Sequence, residues 1–451
     1  MKAKVSVILP SLNVADYIEE CMDSLLRQTL QELEILCIDA GSTDGTEEVL
    51  RQYAKSDPRI ILLHSDIKSY GKQVNMGLAY VSGEYVAILE TDDWIVPEMY
   101  KCLYEAAAAD RLDYVAADFD RFYQLRNGEY YFSRQRLFDV DKKDWYDKIL
   151  DTEQIATLRS SDYVLWKGIY NRDFLLSHHI KLHESPGAAF QDMGFLQQVK
   201  TYAKKTKYLD RSFYRYRQNR EEASSQGLDG LRHYEKEFAW IQEELQLGSA
   251  LKGMHKKYYY FTMSISFLTK YEQILIKLDG DWKDDRLADP YKWFKGQITE
   301  AIRSRLLEEE MYGSERWTRL LLLLSSPETH AWLMTSRENK EKCSVNKLLE
   351  LTKKLPIIIF GCGIRSERLM LFCDKYQIEI CAFCDNNPGL HGKKKFGYPI
   401  LPPSALGDEI NSKNAVVLLS MKNGAEQVRM QLIEERIEPG RIIDRLPEGI
   451  L

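Results

Sequence analysis

No run of this chain approaches the ~18 consecutive apolar residues that a membrane-spanning helix needs. The densest run, at 320–324, suffices only for a short helical segment. The amino terminus, Met1-Lys2-Ala3-Lys4-Val5-Ser6-Val7-Ile8-Leu9-Pro10, has too short an apolar core for a signal peptide and no cleavage site; it reads straight into a strand. A surplus of one charge is missing too. The 62 Lys and Arg against 68 Asp and Glu leave a net charge of −6, which excludes a general electrostatic hold on nucleic acid but not local basic patches. Cysteine is scarce, with 8 in 451 residues, and Cys21, Cys37 and Cys373 lie inside apolar runs. That usage fits reduced, buried thiols and a cytoplasmic location. Cys381-Ala382-Phe383-Cys384 has no second pair and no suitably spaced histidines, so buried strand cysteines are expected there rather than zinc or redox chemistry.

What is present is the balance of a soluble globular protein, 44% hydrophobic and 29% charged, in a chain long enough for two or three domains. Residues 5 to about 120 alternate strand and helix, with strands expected at 5–9, 33–38, 60–64, 85–89 and 114–119. Val14, Ile18, Cys21, Met22, Leu25 and Leu26 recur at helical spacing, with Asn13 or Asp16 available as a cap. Further helices are expected from Thr46, around Val74, Leu78 and Val81, and with Pro97 in a first turn. Such alternation makes a mainly parallel, doubly wound α/β sheet. Residues 120–230 are less periodic and are expected to complete the first domain and the acceptor side of its cleft. A helical region follows at 231–345, its aromatic residues read as core or interface packing. A second, smaller α/β domain is expected at 346–451, giving the division 1–230, 231–345 and 346–451. In it Gly361-Cys362-Gly363-Ile364-Arg365-Ser366 resembles a dinucleotide fingerprint, with Ser366 where the last glycine usually lies, and Asp385 ends the next strand as a ribose-binding acid would. The expectation is a Rossmann-like module for binding or assembly, without redox chemistry.

Two apolar runs in the first domain end in acids. Leu33-Glu34-Ile35-Leu36-Cys37-Ile38 runs into Asp39-Ala40-Gly41-Ser42-Thr43-Asp44-Gly45, and Tyr85-Val86-Ala87-Ile88-Leu89 into Glu90-Thr91-Asp92-Asp93. In open α/β sheets ligands bind at the carboxyl ends of the strands. Adjacent carboxylates there repel unless a cation lies between them, and a divalent metal carrying a diphosphate meets that need. The pattern points to a nucleotide-sugar site. Taken singly, Asp92-Asp93 could cap a helix, 39–45 could be a plain turn, and Asp192 could cap the helix beginning at Met193.

Four segments in order carry a resemblance. They are Pro10-Ser11-Leu12-Asn13 with the helix Tyr17-Ile18-Glu19-Glu20-Cys21-Met22-Asp23-Ser24-Leu25-Leu26-Arg27-Gln28-Thr29, the turn 39–45, the acidic Glu90-Thr91-Asp92-Asp93, and the late segment 184–195. Together they make the first 225 or so residues resemble the inverting GT-A glycosyltransferases of family two. The resemblance implies a GT-A-type sheet and transfer of a sugar from a nucleotide-diphosphate donor, a UDP-sugar being favoured, to a saccharide or lipid-linked saccharide acceptor in bacterial surface polysaccharide synthesis. It implies that Asp39 binds the base or ribose, that Asp92 sits against ribose and diphosphate, that Asp93 coordinates Mg²⁺ or Mn²⁺, and that Asp192 is the catalytic base. Pro10, Asn13 and Lys72 join the donor-binding set. Arg217, in the basic run 213–220 read as a phosphate-facing loop, completes it. Ala40 stands where a second acid is usual, Glu90 replaces a more usual aspartate, Gln191 stands where an acid is common, and Lys72-Gln73-Val74-Asn75 replaces a small-residue and arginine motif.

Inverting transfer is one in-line displacement at the anomeric carbon, with positive charge building on the sugar ring. It needs a base for the acceptor proton and charge neutralisation on the leaving diphosphate, and no nucleophilic Ser, Cys or His. Two other readings stay open at this point. One is a nucleotide-sugar-binding or assembly subunit with a silent transferase domain, for which Ala40 and Gln191 speak. The other is a nicotinamide oxidoreductase in the last domain, against which the missing third glycine speaks. A peripheral membrane contact through His255-Lys256-Lys257-Tyr258 at the inner face of the cell membrane, and self-association of the chain, are also left open.

Overall fold

The computed structural model of the chain describes residues 2–218, 227–246, 251–352, 354–421, 424–444 and 446. It divides into two compact units, Met1–Phe122 with Phe132–Ala331, and Tyr123–Tyr131 with Trp332–Leu451.

The first unit opens with β1 (Val5–Ser11), α1 (Ala15–Leu26), β2 (Leu33–Asp39), α2 (Thr46–Ser56), β3 (Ile60–His64), α3 (Tyr70–Tyr80) and β4 (Tyr85–Ile88). These four strands are parallel, with β1 between β2 and β4 and β3 outside β2. Val5, Val7, Ile8, Leu36, Ile38, Val86 and Ile88 are fully buried, as continuous apolar runs covered on both faces should be. The later half is β5 (Trp94–Ile95), α4 (Met99–Asp110), β6 (Tyr114–Gln124), β7 (Tyr130–Gln135), β8 (Ile149–Leu150), α5 (Thr152–Thr157), β9 (Gly168–Asn171), α6 (Arg172–Ser177), α7 (Gln191–Tyr202) and β10 (Thr206–Arg217).

The strand order is β3-β2-β1-β4-β9-β6-β10-β5, with β9 antiparallel to both its neighbours and β5 antiparallel to β10. The sheet is therefore mixed rather than mainly parallel. Strands β9 and β10 fall in the stretch where the sequence pattern is irregular, and the four-residue β9 is too short to show a period. Two local expectations also change. Pro97 precedes α4 instead of occupying its first turn. The start of α1 is capped by neither Asn13 nor Asp16. Instead the Val14 and Ala15 amides donate to Thr46 Oγ1 and Asp44 Oδ2, each at 2.9 Å, from the turn before α2.

Helix α8 (Gly230–Glu244) and helices at Gly253–Lys277, Asp285–Arg303 and Ser314–Ser325 follow, as the helical pattern predicts. Tyr259, Phe261 and Phe267 are buried in this part of the unit. Among the described residues no helix is long and apolar enough to cross a membrane.

The second unit is a smaller sheet of β11 (Ile357–Phe360), β12 (Ile380–Cys384), β13 (Lys394–Lys395), β14 (Tyr398–Leu401), β15 (Val416–Leu419) and β16 (Ile442–Ile443), in the order β13-β14-β12-β11-β15-β16. All pairings are parallel except the edge pair of β13 and β14. Leu125 joins its core with Ile357, Ile359 and Phe383. Lys395 lies on β13 and donates to the Cys362 carbonyl and to Glu367 Oε1, the latter at 3.1 Å.

In the first unit the segment before α7 docks on the start of α3. The Tyr70 amide donates to Gly187 O and the Gly187 amide to Lys68 O, both at 2.9 Å. Asn75 and Leu182 exchange two hydrogen bonds of 2.8 Å. A Cβ on Gly71 would stand 2.0 Å from the His183 carbonyl oxygen, a backbone atom with nowhere to go. Gly71→Ala is therefore expected to destabilise the unit by about 1–3 kcal/mol, the range for overpacking. Chemical denaturation checks this, and an unchanged midpoint would remove the close approach from the account.

Candidate active site

The parallel half of the sheet aligns the ends that the sequence marked. Ser11 pairs with Asp39 across β1 and β2, and Asp39 with His64 across β2 and β3. The chain beyond β4 turns at Glu90-Thr91-Asp92-Asp93, tied to β1 by Thr91 Oγ1 donating to Pro10 O at 3.1 Å. Gln73 on α3 locks the same edge, its Nε2 donating to Ser11 O (2.8 Å) and Ile38 O (2.6 Å).

Asp39 is fully buried, and its carboxylate organises its own turn. Oδ2 accepts from the Gly41 and Ser42 amides at 2.9 and 3.0 Å, and Oδ1 from Ser42 Oγ at 2.5 Å. Asn13, at φ 52°, links that turn to the end of β1, donating its amide to Ser42 Oγ (3.0 Å) and accepting from the Thr43 amide (2.9 Å). Ala40 is buried, with its amide donating to Ser11 O at 3.0 Å.

Asp93 is 1% exposed. Its Oδ2 accepts from the Tyr214 hydroxyl at 2.8 Å and its Oδ1 from the Arg217 amide at 2.7 Å. Burial, then the neighbouring Asp92 charge, pushes its carboxyl well above the usual range, with Glu90 adding to the effect. Glu90 accepts from the Tyr70 hydroxyl at 2.6 Å. The run 213–217 is a strand end rather than the expected loop, and Asn219 and Arg220 lie outside the described residues. Arg217 turns its guanidinium to Glu20 and, through Nε, to Asp92 O at 2.8 Å; it lies 4.9 Å over the Tyr17 ring and 4.7 Å over that of Phe122.

Asp192 stands in the first turn of α7, where its Oδ1 accepts from the Met193 amide at 2.9 Å. Burial is the main force on its carboxyl and raises it to about 7, with the Glu237 charge adding and Lys200 opposing. Lys72 pairs with Glu184 at 3.3 Å, so α3 and the segment leading to Asp192 are joined by charge as well as by backbone. Gln191 is 1% exposed and donates from Nε2 to Ser185 O and Oγ, both at 2.8 Å, and to Gly187 O at 3.3 Å. A carboxylate could not donate to those carbonyls, which accounts locally for an amide where an acid is common.

Two tyrosines tie the acids to one place. The Tyr216 hydroxyl is pushed up by burial and then by Asp93, Asp92, Glu90 and Asp192 in that order. Tyr70, hydrogen-bonded to Glu90, is raised by burial first and also feels Asp192. Tyr70, Tyr214 and Tyr216 were not singled out from the sequence. Tyr214 and Tyr216 lie within the run that drew attention to Arg217, and strand alternation would have put them together on one face.

Among the described residues, the group whose ligand atoms would by themselves surround a cation is Asp39, Glu47 and His64, not Asp93 and its neighbours. Glu47 there is paired with Arg51, and the Asp39 oxygens hold the turn, so that group suits a cation poorly. Glu90, Asp92 and Asp93 do not enclose one by themselves. Their charges reinforce each other, and a metal bound with a diphosphate takes several ligands from phosphate and needs only one or two carboxylates.

Residues 6–164 match the profile described as Glycosyl transferase family 2. Over 218 residues the chain is 33% identical to the uncharacterized glycosyltransferase YibD of Escherichia coli, covering 47% of this chain and 61% of that protein, so it spans about three fifths of that relative's length. A shorter match, 34% over 99 residues, covers 21% of this chain and 16% of the poly(ribitol-phosphate) beta-glucosyltransferase of Bacillus spizizenii. Among solved structures, TarS 1-349 of S. aureus in complex with UDP-GlcNAc matches with a TM-score of 0.55 at 17% identity, over 75% of this chain and 92% of that one. That likeness speaks for the fold, a GT-A-type mixed sheet. The similarity to glycosyl transferase family 2 thus falls on residues 6–164, the stretch that holds Asp39, Glu90, Asp92 and Asp93.

Proposed function

We propose that the chain is a metal-dependent, inverting glycosyltransferase that moves a sugar from a nucleotide-diphosphate donor, a UDP-sugar being favoured, to a saccharide or lipid-linked saccharide hydroxyl in bacterial surface polysaccharide synthesis. The observation that carries this reading is the shared neighbourhood of Glu90, Asp92, Asp93 and Asp192 around Tyr216 and Tyr70. The matched domain and the names of its relatives support the reaction class.

In this reading Asp93, with Asp92 and Glu90, holds Mg²⁺ or Mn²⁺, whose contribution is to neutralise the leaving diphosphate. Pro10, Asn13 and Asp39 shape the edge that takes the nucleoside, and Lys72 and Arg217 flank the phosphates. Asp192 takes the acceptor proton. A carboxylate raised towards 7 is a stronger base than an ordinary one and is still ionised in a useful fraction at neutral pH. The second unit completes the reading as a Rossmann-like module for binding or assembly. Its fingerprint loop turns at Gly361 (φ 101°), and Asp385 accepts from the Cys362 amide at 2.8 Å.

Asp192→Asn is expected to lower transfer by ~10²-fold or more, the usual worth of general-base help, while donor binding by thermal shift persists. Near-normal turnover would remove the proposed base. Transfer should also rise with pH through about 7, as the carboxyl loses its proton.

The same raised carboxyl sets a stability trend. The unfolded chain releases this proton near 3.9 and the folded chain near 7, so the fold binds the extra proton between those values and loses stability as pH climbs through them. Wild type should therefore fall in Tm relative to Asp192→Asn between pH 4 and 7; parallel curves would contradict the shift. Asp93→Ala should weaken the Mn²⁺-dependent part of the thermal shift given by UDP and UDP-GlcNAc. An unaltered metal response would take Asp93 out of the metal site.

A further inference from the structure

Glu237 lies on α8, outside the matched residues 6–164, and is 1% exposed. A buried carboxylate is costly unless its oxygens are engaged. His183 Nδ1 lies 3.0 Å from Glu237 Oε2, and the His183 ring stacks on Trp240, one turn further along α8, at 5.0 Å and 1°. The other oxygen faces the backbone of Gly194, where a Cβ would come within 2.1 Å of Oε1. His183 and Gly194 bracket the segment that carries Asp192. The same segment is held from its other side by α3, through Gly71, Lys72 and Asn75.

We propose that Glu237 is a positioning residue for the transfer step: by gripping His183 and packing against Gly194 it fixes where Asp192 stands in the cleft. This rests on the reading of Asp192 as the base. A lone glycine in the first turn of α7 then has a reason, since any side chain at 194 would push α8 away. The groups facing Asp192 are Glu237 and Tyr234 from α8, Tyr70 from α3, Tyr170 from β9, Tyr216 from β10, and Lys200 from its own helix. Those facing Glu237 are His183, Asp192 and Tyr259. Glu237 is thus the carboxylate that faces Asp192 from a packed helix; burial raises its own carboxyl, which His183 opposes, and the charge it carries favours the protonated form of the base.

Two variants of the full-length chain separate anchoring from charge. Glu237→Gln keeps the shape and removes the charge. The ¹³C-carboxyl titration of Asp192, assigned by its loss in Asp192→Asn, should then move down by at least about half a pH unit, and the acid limb of transfer should move with it. Glu237→Asp keeps the charge and withdraws it by one methylene. Turnover should then fall roughly 10-fold or more at unchanged donor KM, as misplacement of a reacting group requires. A purely structural role would lower yield or Tm in both variants without moving the Asp192 midpoint. An unmoved midpoint in Glu237→Gln overturns the inference. If Glu237→Gln does not fold, full turnover in Glu237→Asp overturns it instead. If wild type transfers no sugar at all, the functional reading fails, and the carboxyl titration still decides whether Glu237 acts on Asp192.

Discussion

Carboxylates brought together at one sheet edge repel each other, and the first unit answers that repulsion mostly with neutral donors. Asp93 is met by a tyrosine hydroxyl and a backbone amide, Glu90 by a second tyrosine, and Asp39 by its own turn. The guanidinium of Arg217, whose amide meets Asp93, is directed to Glu20 and to a backbone carbonyl. Neutral donors hold the acids in place without cancelling their charge. The cleft is left with a negative field that a divalent cation would balance, and the raised Asp93 carboxyl is the local mark of that field.

The same economy governs the segment carrying Asp192. It has almost no regular structure between α6 and α7, so its path must be set by what surrounds it. Helix α3 supplies Gly71, Lys72 and Asn75, Gln191 ties the loop to itself, and α8 supplies Glu237 and Trp240. The departures from the family pattern at Lys72 and Gln191 fall on these contacts. Each supplies a positioning contact: an ion pair to Glu184 in the first case, an amide donor to carbonyl acceptors in the second.

In the second unit the acid at the end of β12 is likewise drawn into local structure. Asp385 accepts from the Cys362 and Asn387 amides, each at 2.8 Å, so it braces the fingerprint loop. Ser366, in place of a glycine, is buried and donates to Gly363 O at 2.6 Å. These contacts make a tight strand-to-helix turn whose shape depends on side chains as well as on glycine.

Strands β1, β2 and β4, and β11 and β12 in the second unit, were legible from the sequence because apolar runs buried on both faces can hardly be anything else. The acids at their ends were legible for the same reason, since a parallel sheet sends every such end to one edge. The short antiparallel strand β9, the end of β10 that closes over Asp93, and the caps of α1 were not. Each depends on partners far along the chain: Tyr214 is 121 residues from Asp93, and Thr46 is 32 from Val14. The sequence by itself determined which residues could carry charge at the sheet edge. Only the tertiary structure decided which donors meet them, because a hydrogen bond across such separations exists only once the sheet has brought its ends together.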